Sequence, residues 1–335
     1  MGLFTRLGDA ELSDIAAAFG LGAIQRVQPI LAGTINSNFV IETGAPEPDS
    51  SRESWFIRVN EGKAEADVAW EADLVTALAQ RGVATPPPIA ALDGKLYAPL
   101  AGTTKWVSVF PWRIGRHLGS DEVTVEIAGE FGAVLAGLHL AGLELPAAWR
   151  RRSIYDHAHL AERYRGFADH AGADPALAKA IAILGEELAF AGERAQVRAA
   201  ATHGIIHGDL FRDNVLWGAG PGAGITAVLD FEQASGGSLV YDLAVCINDW
   251  CWTGTPRLDA AGALLSAYQR VRPLTAADRD AFVIEVRAAA ARFTITRITD
   301  VYLAKVYNPE KDFRAFLARS EAWRGPALGQ LSSLL

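Results

Sequence analysis

The segment from Thr202 to Phe231 constrains this chain more than any other. It reads HGDLFRDNVLW over 207–217, then a glycine-rich spacer, then AVLDFE over 227–232. The apolar pair Ile205 and Ile206 leads into His207-Gly208-Asp209. Asn214 follows five residues after Asp209, and Asp230 closes the next apolar run. An Asp, an Asn and a second Asp, in order between β-like segments, are the residue types that phosphoryl transfer requires. One carboxylate receives the proton of an attacking hydroxyl, while an amide oxygen and a second carboxylate hold Mg²⁺ on nucleotide phosphates.

At 335 residues the chain is long enough for one large domain or two moderate ones. A hydrophobic content of 50% with 21% charged residues describes an ordinary soluble globular protein. The formal net charge is −8 and no Lys/Arg-rich run appears, which disfavours nucleic acid as a partner. Cys246 and Cys251 read as reduced, apolar packing residues rather than a disulfide framework. The N-terminus lacks a secretory pattern, and no window approaches the roughly 20 apolar residues of a membrane span. A cytoplasmic enzyme with no membrane partner is the expectation, as monomer or homodimer.

Periodicity divides the chain. Residues 9–19 read as a short amphipathic helix with Leu12, Ile15 and Phe19 on one face. Residues 24–44, 54–60 and 95–112 read as strands around a helix at 64–80. A strong helix is expected at 125–140, and further ones at 156–170 and 175–193. Two short strands at 214–217 and 225–230 follow the Asp209 loop. Helices at 239–249, 258–270, 276–306 and 309–320 fill the rest. The expected architecture is α+β and two-lobed: a β-rich N-terminal, nucleotide-binding lobe over 1–112 and a mostly helical, catalytic C-terminal lobe over 113–335.

Asp209 is the candidate catalytic base, orienting a substrate hydroxyl and taking its proton late. Asn214 and Asp230 are the candidate Mg²⁺ ligands, because this hard cation takes oxygen donors. His207 reads as a buried, hydrogen-bonded structural residue.

HGDLFRDNVLW with VLDFE resembles the aminoglycoside/choline kinase-like phosphotransferases, which share the protein-kinase fold. Three further segments resemble the type II homoserine kinases within that superfamily: TINSNFVI at 34–41, VYDLAVCINDWCW at 240–252 and ARFTITRITDVYL at 291–303. The resemblance implies a two-lobed protein-kinase-like fold, ATP with Mg²⁺, and transfer to the hydroxyl of a small metabolite. L-homoserine is the leading acceptor and O-phospho-L-homoserine, a threonine precursor, the product. It implies a turn over the phosphates at 33–38, with Gly33, Thr34, Asn36 and Asn38. Arg58 stands where such kinases carry the phosphate-contacting strand cation, with Glu71 on the following helix as its partner. The segment 107–111 would present backbone groups to adenine; Pro111 lacks a donor, so Val109 is the expected contact.

For the acceptor, an ammonium and a carboxylate need complementary charges. Asp249 or Asp300 would meet the ammonium, Arg297 the carboxylate, and Trp252 lies near them. The same residues also read as an intrahelical Arg297–Asp300 pair beside a buried Trp cluster. Asp242 reads as a support of the catalytic loop. Alternatives are the same reaction on an amino alcohol, another hydroxylated amino acid, a sugar or an aminoglycoside, or a nucleotide-binding pseudokinase. His157 and His159 lack a third ligand for zinc, and no GlyXSerXGly suggests an esterase.

Overall fold

Leu12, Ile15 and Phe19 form the buried face of α1 (Asp9–Phe19), as their spacing predicts. This helix and the rest of the fold are those of a computed structural model that describes residues 4–31, 35–44, 53–170, 172, 174–220 and 222–335. The face of α1 packs on a five-stranded antiparallel sheet of β1 (Ile24–Ile30), β2 (Ser37–Thr43), β3 (Glu53–Asn60), β4 (Ala98–Pro99) and β5 (Trp106–Pro111), in the order β1-β2-β3-β5-β4. Alternation along β2 buries Ser37, Phe39, Ile41 and Thr43 on one face. Phe39, Ile41, Ile57, Val59, Val107 and Val109 make the core beneath α1, and each fully buried branched side chain contributes about 1.5–3 kcal/mol. The helix α2 (Glu65–Ala79) follows β3.

The chain forms two compact units, Met1–Arg116 with Leu216–Glu232, and His117–Val215 with Gln233–Leu335. The first therefore takes in most of the hairpin of β7 (Val215–Trp217) and β8 (Ile225–Val228), together with Asp230. The second holds α3 (Val125–Leu143), α4 (His157–Arg165), α5 (Pro175–Glu193), α6 (Ala195–Ala200), α7 (Leu239–Asp249), α8 (Leu258–Val271), α9 (Ala276–Arg297), α10 (Phe313–Ala322) and α11 (Pro326–Ser332). In it β6 (His203–Ile206) pairs antiparallel with β9 (Ser235–Ser238). Periodicity does not announce β6, β9, α6 or α11. SGGS carries no β-forming side chain, so its strand exists only through pairing with β6.

The packing of α3 on α8 is close. A Cβ at Gly132 would sit 2.3 Å from the carbonyl oxygen of Leu264, so the approach depends on glycine. By length and composition α3 could cross a membrane, which the sequence reading does not anticipate; half of its apolar window is buried in the protein. The helix expected over 276–306 stops at Arg297 and gives way to a π-helical turn, Ile298–Tyr302. Thr294, Thr296 and Thr299 there return their hydroxyls to the carbonyls of Ala290, Phe293 and Thr296, competing with the helical ladder. Asp312 then restarts the chain as α10 by accepting the N–H of Arg314. Cys246 and Cys251 are free and buried, and burial pushes both thiols well up.

Candidate active site

In the second unit β6 delivers His207, Gly208 and Asp209. The backbone at Gly208 is left-handed (φ 79°), and a Cβ there would come within 3.1 Å of the Gln233 carbonyl. The fully buried Asp242 of α7 fixes this turn. Its two oxygens accept the N–H groups of His207 at 2.7 Å and Gly208 at 2.8 Å. His139 Nε2 lies 3.2 Å from the same carboxylate and its Nδ1 2.7 Å from the Tyr268 hydroxyl. Burial alone would raise the Asp242 carboxyl. The His139 hydrogen bond and charge and the Gly208 N–H outweigh it and hold the group below the usual carboxylate range.

Beyond the turn, the Leu210 carbonyl accepts the indole N–H of Trp250 at 3.1 Å, and the Phe211 ring packs on Phe293 and Phe316. The Asp209 side chain is left one-third exposed. Asn214 donates its Nδ2 to the Asp209 carbonyl at 2.7 Å; because that carbonyl can only accept, the carboxamide oxygen takes no part in this bond and could serve a hard cation. A residue the sequence reading overlooks completes the group. Buried Arg292 of α9 places Nη1 3.3 Å from Asp209 Oδ1 and 3.1 Å from the Gly208 carbonyl, with Tyr155 and Phe293 rings against its guanidinium. It stands within ARFTITRITD, where only the later Arg297 and Asp300 attract attention.

The acceptor candidates separate. Asp249 is buried and accepts the N–H, Nε and Nη2 of Arg212 at 2.9, 3.0 and 3.3 Å. A buried carboxylate requires such pairing, so Asp249 is already neutralised within the protein and steadies the loop that carries Asp209. Trp252 is buried edge-on against Trp323 beneath the Arg319 guanidinium, a packing position. The expected Arg297–Asp300 pair does not form: in the π-helical turn Asp300 takes Arg163 Nη1 on both oxygens, at 2.8 and 3.0 Å. Arg297 is half-buried, donates to the Asp312 carbonyl at 3.2 Å and lies over the Phe316 ring. Among the described residues it has no carboxylate partner. Burial holds its guanidinium below the usual range, against the opposing pull of Asp249, Asp209 and Asp213.

The first unit carries the other candidates. Arg58 on β3 donates to Glu71 of α2 at 2.9 Å, so this expected pair is brought together. The second guanidinium nitrogen of Arg58 lies 3.5 Å from Asp230 Oδ1. Asp230 follows β8 in the left-handed region (φ 63°), a conformation that costs a non-glycine residue about 1–3 kcal/mol. Burial first, then Glu232, push its carboxyl up to about 7, with Arg58 opposing. Its Oδ1 is buried without a hydrogen bond, as befits an oxygen donor to a cation. Asn36 donates to Glu232 at 2.8 Å and accepts the Glu61 N–H at 3.2 Å. Asn38 pairs across the ladder with Arg58 and keeps its Oδ1 buried without a partner. Gly33 and Thr34 lie outside the described residues. Val109 faces the core opposite Ile57, and its carbonyl is taken by the Ile89 N–H at 2.8 Å, so that oxygen is committed to the strand edge. Among the described residues no cluster of three His, Cys, Asp or Glu side chains could hold a metal by itself.

The family model described as "Phosphotransferase enzyme family" matches residues 26–274. Solved structures share the fold at low identity. A microcompartment-associated aminopropanol kinase aligns with a TM-score of 0.71 at 18% identity, over 98% of this chain and 100% of its own. A spectinomycin phosphotransferase in complex with ADP and spectinomycin gives 0.68 at 16%, over 99% and 100%. The chain belongs to the phosphotransferase enzyme family, is an enzyme that phosphorylates a hydroxyl group, and has the two-lobed α+β fold. Among curated proteins it is 33% identical over 311 residues to the homoserine kinase of Azorhizobium caulinodans, covering 90% of this chain and 88% of that one. It is 34% identical over 304 residues to the homoserine kinase of Caulobacter sp., with 90% and 89% covered.

Proposed function

We propose that this chain transfers the γ-phosphoryl group of ATP to the side-chain hydroxyl of L-homoserine, giving O-phospho-L-homoserine and ADP in the cytoplasm. The observation that carries the reaction is the one-third-exposed Asp209 carboxylate on a loop whose N–H groups are held by buried Asp242. The identity of 33% and 34% with two homoserine kinases supports the acceptor. The acceptor oxygen attacks the γ-phosphorus as the bond to the β–γ bridging oxygen breaks, and the hydroxyl proton passes late to Asp209. Arg292 ties one Asp209 oxygen and leaves the other to orient the hydroxyl. Asn214 and Asp230 would supply oxygen ligands to magnesium, which when bound neutralises phosphate charge. The Arg58–Glu71 pair and the segment 33–38 serve the nucleotide. Arg297, which lacks a carboxylate partner of its own, takes the carboxylate of the amino-acid acceptor.

Coupled ADP release, measured over a panel of L-homoserine, other hydroxylated amino acids, amino alcohols, a sugar and an aminoglycoside, tests this. L-homoserine is expected to lead in kcat/KM by about 100-fold or more. A better amino alcohol or aminoglycoside would replace the acceptor. No release with any of them would leave a nucleotide-binding protein without transfer.

A further inference from the structure

Arg58 occupies the strand position of the phosphate-contacting cation, yet it is held among carboxylates and rings. Nη1 is bonded to Glu71, Nη2 faces Asp230, and Nε is buried without a partner. The rings of Phe56 and Phe110 lie within 5.9 and 5.7 Å of the guanidinium, whose side chain is 10% exposed. A second cation shares the same glutamate. Lys63, between β3 and α2, places Nζ 3.0 Å from Glu71 Oε2 and 3.0 Å from Glu232 Oε2, its side chain 17% exposed. Two of its three N–H donors are therefore engaged, which leaves one for a further acceptor. Glu232 also accepts from Asn36. Lys63 thus sits among the residues expected to serve phosphate and is more accessible than Arg58.

We infer that Lys63 is the phosphate-contacting cation of this enzyme and that Arg58 is a positioning residue, aiming Glu71 and Asp230. The chemistry divides the two cations the same way. A compact ammonium binds phosphate oxygen as a point charge, whereas this guanidinium is fixed by Glu71 on one nitrogen, Asp230 near the other and the Phe56 and Phe110 rings beside it. The inference rests on the phosphotransferase reading but not on the identity of the acceptor.

The test is nucleotide binding by calorimetry on the full chain, comparing a non-hydrolysable ATP analogue with adenosine, which lacks phosphate. Lys63→Met is expected to weaken the ATP analogue by about tenfold or more, the loss of one charge-assisted bond, and to leave adenosine unchanged. Lys63→Arg should recover most of the loss. Lys63→Gln keeps donors for Glu71 and Glu232 but removes the charge. It should reproduce the Lys63→Met pattern even if the latter melts lower. Equal weakening of both ligands would make Lys63 a structural strut and overturn the inference, as would unchanged binding of both. A wild-type protein that prefers adenosine to the ATP analogue would overturn it as well, whichever acceptor is phosphorylated.

Discussion

Arg292 Nη1 lies 3.3 Å from Asp209 Oδ1 and 3.1 Å from the Gly208 carbonyl, so one buried guanidinium holds the carboxylate and the backbone of the same loop. An arginine so placed does not compete for the acceptor proton, because it never releases its own at working pH. Its effect is on orientation: it leaves Asp209 one free oxygen and a fixed rotamer.

Arg292→Lys should separate orientation from charge. An ammonium keeps the positive charge but loses the fork and the packing between Tyr155 and Phe293. We expect kcat to fall about 10- to 100-fold with the KM for ATP unchanged, whereas Asp209→Asn should cost kcat about 10²- to 10⁴-fold. Steady-state kinetics with nucleotide binding measured alongside checks both. Wild-type kcat in Arg292→Lys would show that Asp209 needs no such support.

Asp242→Ala leaves the N–H groups of His207 and Gly208 and the His139 ring without their shared acceptor inside the core. Breaking such a buried arrangement costs about 3–5 kcal/mol. The native Asp242 carboxyl is held below its unfolded value of about 3.9, so its stabilisation is present above that pH and is lost as pH falls through the native value. Denaturant unfolding of wild type and Asp242→Asn should therefore differ by a constant amount at neutral pH and converge in strong acid. A gap that persists in strong acid would mean that the charge of Asp242 contributes nothing.

The half of the candidate site proposed from local chain order is read from residue types and from the family resemblance. Asp209, Asn214 and Asp230 stand in the order on which the proposal rests, and the Arg58–Glu71 contact, which the family resemblance implies, forms in the structure. What escapes is set by partners distant in sequence. Asp249 has the right charge for an ammonium, but only the fold reveals that Arg212, 37 residues away, already claims it. Asp300 is the natural helical partner of Arg297 until threonine hydroxyls unwind that turn and Arg163, 137 residues away, takes its place. Arg292 and Lys63 go unnoticed because neither lies in a recognisable spacing; each gains meaning from the carboxylates beside it. The strand at 235–238 is invisible for the same reason, being specified by β6 and not by its own residues.

Asp230 trades stability for its position. Its native carboxyl titrates near 7, above the unfolded value of about 3.9. Such a group stabilises the fold fully below the unfolded value, and that contribution is lost as pH rises through 7. Asp230→Asn should accordingly melt higher than wild type at pH 8, by about 1 kcal/mol once solvent screening of a one-third-exposed group is allowed for, and the gain should vanish near pH 4. The same variant should lose Mg²⁺-dependent strengthening of nucleotide binding. Thermal melts across pH, with and without ATP and Mg²⁺, read both. A variant less stable at pH 8 would show that the strained, carboxylate-crowded Asp230 is not a cost to the fold.

Arg297 decides between amino-acid and amino-alcohol acceptors. Its guanidinium is half-buried over Phe316, bonded to one backbone carbonyl and otherwise without a carboxylate, so an incoming acceptor carboxylate gains a desolvated charge pair and displaces no internal one. Charge-assisted bonds of this kind contribute about 1.5–3 kcal/mol. Arg297→Met should therefore raise the KM for L-homoserine about 10- to 150-fold while leaving kcat nearly unchanged, since the carboxylate is bound alike in ground and transition states. An amino alcohol of the same length, which has no carboxylate, should be turned over equally by both proteins. If Arg297→Met impairs the two acceptors to the same degree, the residue supports the helix end and the ring of Phe316 instead, and the acceptor carboxylate must be met elsewhere.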